Sequence, residues 1–121
     1  MRIRIEVLPY SQMRYPTLGD WFADQHGAVI QVADLGNWRM NYLVAMHEMI
    51  EAALCQHLGI PESVVLAWDK ANPESDDPGA LEGAPYRDQH LMAEKFERRL
   101  AQELGVDWGE YEKRCAEVCA S

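Results

Sequence analysis

The sequence predicts an α+β fold: a small N-terminal antiparallel β-sheet of about three strands, followed by four helices in two helical hairpins. Three features predict it. Residues 2–8 alternate strictly between charged and apolar side chains, the period of a strand. From Asn37 onward the apolar residues recur at helical spacing. The helical part is punctuated twice by one kind of stop, Leu-Gly followed by an apolar residue, at 58–60 and 104–106. A chain of 121 residues fits one domain, with a β-sheet region over 1–36 and a helical region over 37–121. It is long enough to bury a core without disulfides or metals as staples.

In "RIRIEVL", Ile3, Ile5 and Val7 face one side and Arg2, Arg4 and Glu6 the other, as in a half-buried strand. "PYSQMRYPTLG" (9–19) holds two prolines and reads as a loop. "DWFADQHGAVIQVAD" (20–34) reads as a hairpin whose turn ends at Gly27. A turn at 34–37 leads to Asn37, a side chain suited to capping a helix N-terminus. The first helix is expected over 38–58, ending at Gly59. The second is expected over 61–71, with Pro61 in its first turn. The acidic, Pro- and Gly-rich stretch 72–85 is a loop long enough to serve as a lid or binding loop. The third helix is expected over 86–104, ending at Gly105. The fourth is expected over 107–119, opened by a capping box of Asp107 and Glu110.

Twenty acidic residues against eleven basic give a net charge of −9. Such a chain repels phosphate, which argues against nucleic acid and anionic membranes as partners and favours cations. No stretch is long and apolar enough to span a membrane, and the N-terminus does not have the pattern of a signal peptide. Cys55, Cys115 and Cys119 are odd in number and match no disulfide or four-cysteine zinc pattern, so they read as reduced thiols. Together these features point to the cytoplasm. Cys115 and Cys119 stand one helical turn apart, close enough to share a soft metal.

The polar residues inside the helical stripes carry the chemistry. At about 100° per residue, His47 and Glu51 fall near the centre of the apolar stripe of the first helix, with Glu48 at its edge. On the third helix His90 and Glu97 interrupt the stripe in the same way, with Glu94 at its edge. Superposing the two Leu-Gly stops aligns "EMIEAALCQHLGI" (48–60) with "EKFERRLAQELGV" (94–106), so Glu48 matches Glu94 and Glu51 matches Glu97. An ionised carboxylate in such a stripe is costly unless it is paired, protonated or bound to a metal. If the two stripes face each other, His47, Glu51, His90 and Glu97 converge. Two imidazoles and two carboxylates suit zinc, manganese or iron. The alternative is a structural polar network, with Arg87, Arg98 and Arg99 as available counter-charges. Asp69 is a further candidate, as ligand or as a group that orients a histidine. His26 at a turn and His57 at a helix end lie off the stripe.

The segment "HEMIE" resembles the active helix of zincin metallopeptidases, in which two histidines at i and i+4 bind zinc and the intervening Glu activates water. The resemblance implies His47 as first ligand, Glu48 as general base and His90 as a downstream ligand. Glu51 stands where that family has its second histidine, which changes the charge at the metal. His57 stands where the longer metzincin motif has its third histidine, but Leu54 replaces the glycine that breaks that helix, so His57 cannot reach the same ion. The paired Glu-x-x-Glu motifs also resemble the all-α nucleoside triphosphate pyrophosphatases. That resemblance implies Mg²⁺ held by Glu48, Glu51, Glu94 and Glu97, with Arg87 and Arg98 as the nearest cations for phosphate. The landmarks "HEMIEA", "GAPYRDQH" and "LGVDW" resemble a group of small proteins of bacteria and their phages, a likeness that implies no activity.

The expectation is a divalent-metal-binding protein of the metal-dependent hydrolase type, with ligands His47, Glu51, His90 and Glu97 and with Glu48 as general base. Its alternatives are the Mg²⁺-dependent pyrophosphatase and a non-enzymatic acidic interaction module with a structural His/Glu network. A small-molecule or peptide substrate and a homo-oligomer stay open.

Overall fold

The structure, a computed structural model, describes the chain from Met1 to Ser121. Three strands, β1 (Arg2–Leu8), β2 (Gly19–Asp24) and β3 (Gly27–Ala33), precede four helices. These are α1 (Trp38–His57), α2 (Glu62–Ala71), α3 (Arg87–Leu104) and α4 (Trp108–Cys119). Short 3₁₀ turns occupy Tyr10–Gln12 and Pro78–Ala80. The α+β organisation and all four helices match the expectation to within about one residue at each end.

The sheet differs in one respect. It is mixed rather than antiparallel, with the order β1-β3-β2, β3 antiparallel to β2 and parallel to β1. The cause is topological. The loop after β1 carries the chain past the end of β3, so that β2 starts on the far side and the hairpin returns β3 into the gap. Backbone bonds pin this crossing: Ala33 N–H donates to Leu18 O (2.8 Å) and Asp34 N–H to Leu8 O (2.7 Å). The apolar run "AVIQVA" suits the central position, with Val29, Ile30, Val32 and Ala33 at most 1% exposed. Gly27 permits the hairpin. Its φ is +142°, and a Cβ there would lie 2.1 Å from the Arg2 carbonyl oxygen.

A second difference concerns β1. Its apolar side is exposed, not half-buried. The helical layer explains this, because α1 lies over β2 and β3 and does not extend across β1.

The helices start and stop as their sequences dictate. Asn37 caps α1 by accepting from the N–H groups of Arg39 (3.0 Å) and Met40 (3.2 Å). Asp107 caps α4 through the Glu110 N–H (2.9 Å). Both Leu-Gly stops are Schellman motifs of one design. Gly59 and Gly105 take φ +71° and +67°. Ile60 N–H reaches Cys55 O, and Val106 N–H reaches Ala101 O, both at 2.9 Å. The core joins Ile30, Val32 and Leu35 to Leu43 and Val44 of α1 and to Ala101, Tyr111 and Val118 of α3 and α4. The most extensive helix pairing is α1 against α3, the two helices that carry the paired polar residues.

Leu43 is fully buried in this core, whereas Leu58 is largely exposed. Leu43→Ala should destabilise the fold by about 2–5 kcal/mol, and Leu58→Ala should change it by no more than about 0.5 kcal/mol. Urea unfolding of the two variants side by side checks the difference.

Candidate metal centre

Each element delivers one part of the site. Helix α1 presents His47 and Glu51 one turn apart, and α3 brings His90 and Glu97 against them. His47 Nε2 lies 3.1 Å from Glu51 Oε2 and 3.1 Å from His90 Nδ1, and His90 Nδ1 lies 2.9 Å from Glu51 Oε2. These three atoms form a nearly equilateral triangle that could hold a metal ion.

The outward-facing atoms are tied off by other groups. His47 Nδ1–H donates to Glu97 Oε1 (2.8 Å), and the Tyr111 hydroxyl donates to the other oxygen of Glu97. His90 Nε2–H donates to Asp77 Oδ1 (2.7 Å). The Trp21 indole N–H donates to Glu51 Oε1 (3.0 Å), which turns Oε2 toward the imidazoles. An ionised carboxylate only accepts, so the outer nitrogen of each ring carries a proton. In the neutral rings the inner nitrogens are then bare, and two nitrogen lone pairs meet a carboxylate oxygen with no proton between them. That arrangement calls for a cation at its centre, either a metal ion or added protons.

The electrostatics of the metal-free protein agree. Burial opposes protonation of His90, yet its hydrogen bonds to Asp77 and Glu51 outweigh burial and raise its pKa to about 9. His47 is raised well above its ordinary value, its hydrogen bonds to Glu51 and Glu97 outweighing burial. Burial resists ionisation of Glu51, but the two imidazoles bring it down to about 2. Without a metal, the two imidazoles themselves carry the positive charge that faces Glu51.

Glu48 behaves differently. It stands on the wall of a cavity of about 850 Å³ that also exposes the triangle. Its carboxylate has no hydrogen-bond partner in the protein. Burial, reinforced by Glu51, holds its pKa well above the ordinary carboxylate value. Two glycines make room here. A Cβ on Gly19 would meet the Glu48 carboxylate at 2.5 Å, and one on Gly79 would meet the His90 ring at 2.6 Å.

Three of the four expected ligands, His47, Glu51 and His90, therefore present atoms to one point. Glu97 lies on the opposite side of His47, where it orients the ring. Asp69 touches neither histidine. It accepts hydrogen bonds from the hydroxyls of Tyr15 (2.8 Å) and Tyr86. Arg87, Arg98 and Arg99 do not reach Glu51 or Glu97: Arg98 pairs with Glu94 and Arg99 with Glu103, while Arg87 bonds the Ala80 carbonyl. His26 and His57 are exposed and remote from the site. Cys55, Cys115 and Cys119 are free thiols, the last two on the cavity wall and the first outside it. Sequence reasoning missed Trp21, Asp77 and Tyr111. Asp77 had one visible signal, an acidic loop long enough to fold back over a site.

Comparison with protein-family models, with curated proteins and with solved structures returns no match.

Gly79→Ala should push the His90 ring out of the triangle and weaken Zn²⁺ binding at least about 10-fold, because ligand geometry tolerates only about 0.5 Å of error. Gly59→Ala, with open space at its Cβ and at a helix end, should leave the affinity unchanged. Isothermal titration with Zn²⁺ checks both. Glu97→Gln and Asp77→Asn should each weaken binding by about 10- to 100-fold while the circular dichroism spectrum is retained.

Proposed function

We propose that the protein is a metal-dependent hydrolase whose ion is held by His47, Glu51 and His90. The observation that carries this reading is the triangle of three lone-pair atoms, with each outer ring nitrogen already bonded to a carboxylate. A face of three protein ligands leaves further positions on the ion for water and substrate. A divalent ion there would supply Lewis acidity and lower the pKa of a bound water. Glu48 supports the hydrolytic side of the reading. It is a carboxylate without a partner, kept weakly acidic by burial and by its neighbour Glu51, beside the ligand set. Such a group suits a general base that accepts a proton from water near neutral pH. Tyr111 through Glu97, and Asp77 directly, would hold the two imidazoles in the tautomers that bind metal. The donor set of two imidazoles and a carboxylate suits Zn²⁺, Mn²⁺ or Fe²⁺.

The cavity wall constrains the substrate. Nine carboxylate side chains line it, and neither Lys nor Arg does. A divalent ion would neutralise two of those charges, and Arg14 beside Asp20 and Arg98 beside Glu94 two more. Most stay uncompensated. A triphosphate meets no Lys or Arg side chain on this wall, and Glu97 is committed to His47 and Tyr111, which favours the hydrolase over the pyrophosphatase reading. Neutral or positively charged substrates, such as esters, amides and peptides, fit this wall.

Metal analysis by mass spectrometry of untagged protein is the first test. Near-stoichiometric metal in the wild type, lost in His47→Ala and in His90→Ala, is the expected result. Metal-free protein that stays empty after incubation with Zn²⁺, Mn²⁺ and Fe²⁺ would sink the metal centre and leave a structural network. Glu48→Gln should keep the ion and lower the hydrolysis of ester, amide or peptide substrates by about 10²- to 10⁴-fold. A loaded wild type inert toward all of these would remove the hydrolase assignment and keep the metal site.

A further inference from the structure

Strand β1 leaves a sheet edge and an apolar face without a partner in the chain. Ile3, Ile5 and Val7 are 62%, 49% and 48% exposed. They share a face with Ala28, Ile30 and Val32 of β3, and Ile30 and Val32 are buried under α1. The apolar surface of the sheet therefore runs on past the edge of the helical layer. The hydrogen-bonding direction is fixed as well. Arg2 N–H donates to His26 O (3.0 Å) and Leu8 O accepts from Asp34 N–H (2.7 Å), so the even-numbered residues of β1 turn their backbone groups toward β3. In a parallel pair, a residue's N–H and C=O point to the same side. Ile3, Ile5 and Val7 therefore turn theirs to the open edge. An exposed apolar edge of this kind is a template for another strand.

We propose that the occupant of this edge is β1 of a second copy of the chain, paired antiparallel about a two-fold axis through Ile5. The sequence selects the register. With Ile5 opposite its own counterpart, Arg4 faces Glu6 of the partner strand twice over, and Ile3 faces Val7. A shift of two residues one way sets Arg4 against Arg4, and two the other way sets Glu6 against Glu6. Like charges directly opposite are destabilising. A shift of one residue sets apolar side chains against charged ones. Parallel pairing in register would also stack Arg4 on Arg4, and it would not close with two-fold symmetry. In the favoured register all of the outward backbone groups of Ile3, Ile5 and Val7 meet partners, giving roughly six hydrogen bonds across the axis. The six apolar side chains then form one continuous stripe, and two three-stranded sheets become a single six-stranded sheet. Strand β1 contributes nothing to the cavity wall, so both cavities stay open in the dimer.

Sedimentation velocity on the full chain, at concentrations from about 1 to about 100 µM, where small interfaces dissociate, tests the pairing. A concentration-dependent monomer–dimer equilibrium is expected. Ile5→Lys should weaken it at least about 10-fold. Because the Ile5 side chain is half exposed in the monomer, the circular dichroism spectrum should not change. Arg4→Glu alone should also weaken the dimer, and Arg4→Glu combined with Glu6→Arg should restore it, since the swap rebuilds both cross-strand pairs. A wild type that is monomeric throughout the range overturns the proposal. A dimer indifferent to Ile5→Lys overturns it too, because its interface then lies on another face. A double variant no better than Arg4→Glu overturns the register.

Discussion

Both ring nitrogens of His47 are engaged, and much of the molecule is organised around that fact. Through Nδ1 the ring reaches Glu97 on α3, and through Glu97 it reaches Tyr111 on α4. Through Nε2 it faces Glu51 and His90. Glu51 extends the network to Trp21 on β2, and His90 extends it to Asp77 in the loop before α3. One imidazole therefore fixes the relation of sheet, central helix, helical hairpin and loop. The placement of α1 against α3 is set by hydrogen-bond lengths as well as by apolar packing, and hydrogen bonds tolerate less sliding than methyl groups do.

Such a network is expensive to bury. Two carboxylates, Glu51 and Glu97, and two imidazoles lie where water has little access, and each loses solvation that only close partners can replace. The protein meets that cost with donors aimed at acceptors: the Trp21 indole, the Tyr111 hydroxyl and the outer N–H of each ring. Inside those donors lies the triangle of His47 Nε2, His90 Nδ1 and Glu51 Oε2, where protons on the imidazoles or a metal ion supply the positive charge. A buried group of this kind could hold a metal ion. The acidic cavity beside it extends the same electrostatic bias, so charge and geometry point in one direction. Any ion that binds there adds its binding free energy to the stability of the folded state.

Much of this was legible in the chain because it is local. The alternation of residues 2–8, the caps Asn37 and Asp107 and the two Leu-Gly stops each act over a few residues, so they set helix and strand boundaries to within about one position. Helical periodicity also put His47, Glu51, His90 and Glu97 on facing stripes, because residues four apart share a face wherever the helix later docks. The repeat that aligns Glu51 with Glu97 was informative in a way its symmetry did not suggest. The two glutamates flank one histidine from opposite sides.

By itself, then, the sequence determined the α+β class, the four helices and the convergence of two imidazoles with two carboxylates, since these follow from backbone geometry and side-chain period. Only the tertiary structure decided the rest. The path of loop 9–18 across the end of β3 made the sheet mixed, and the width of the helical layer left the apolar side of β1 exposed; neither is written in strand periodicity. Glu97 stands apart from the three groups that could hold an ion because its carboxylate arrives at His47 Nδ1, on the far side of the ring. Trp21, Asp77 and Tyr111 joined the network from a strand, a loop and another helix. Their roles depend on distances between segments far apart in the chain, and no local pattern encodes those distances.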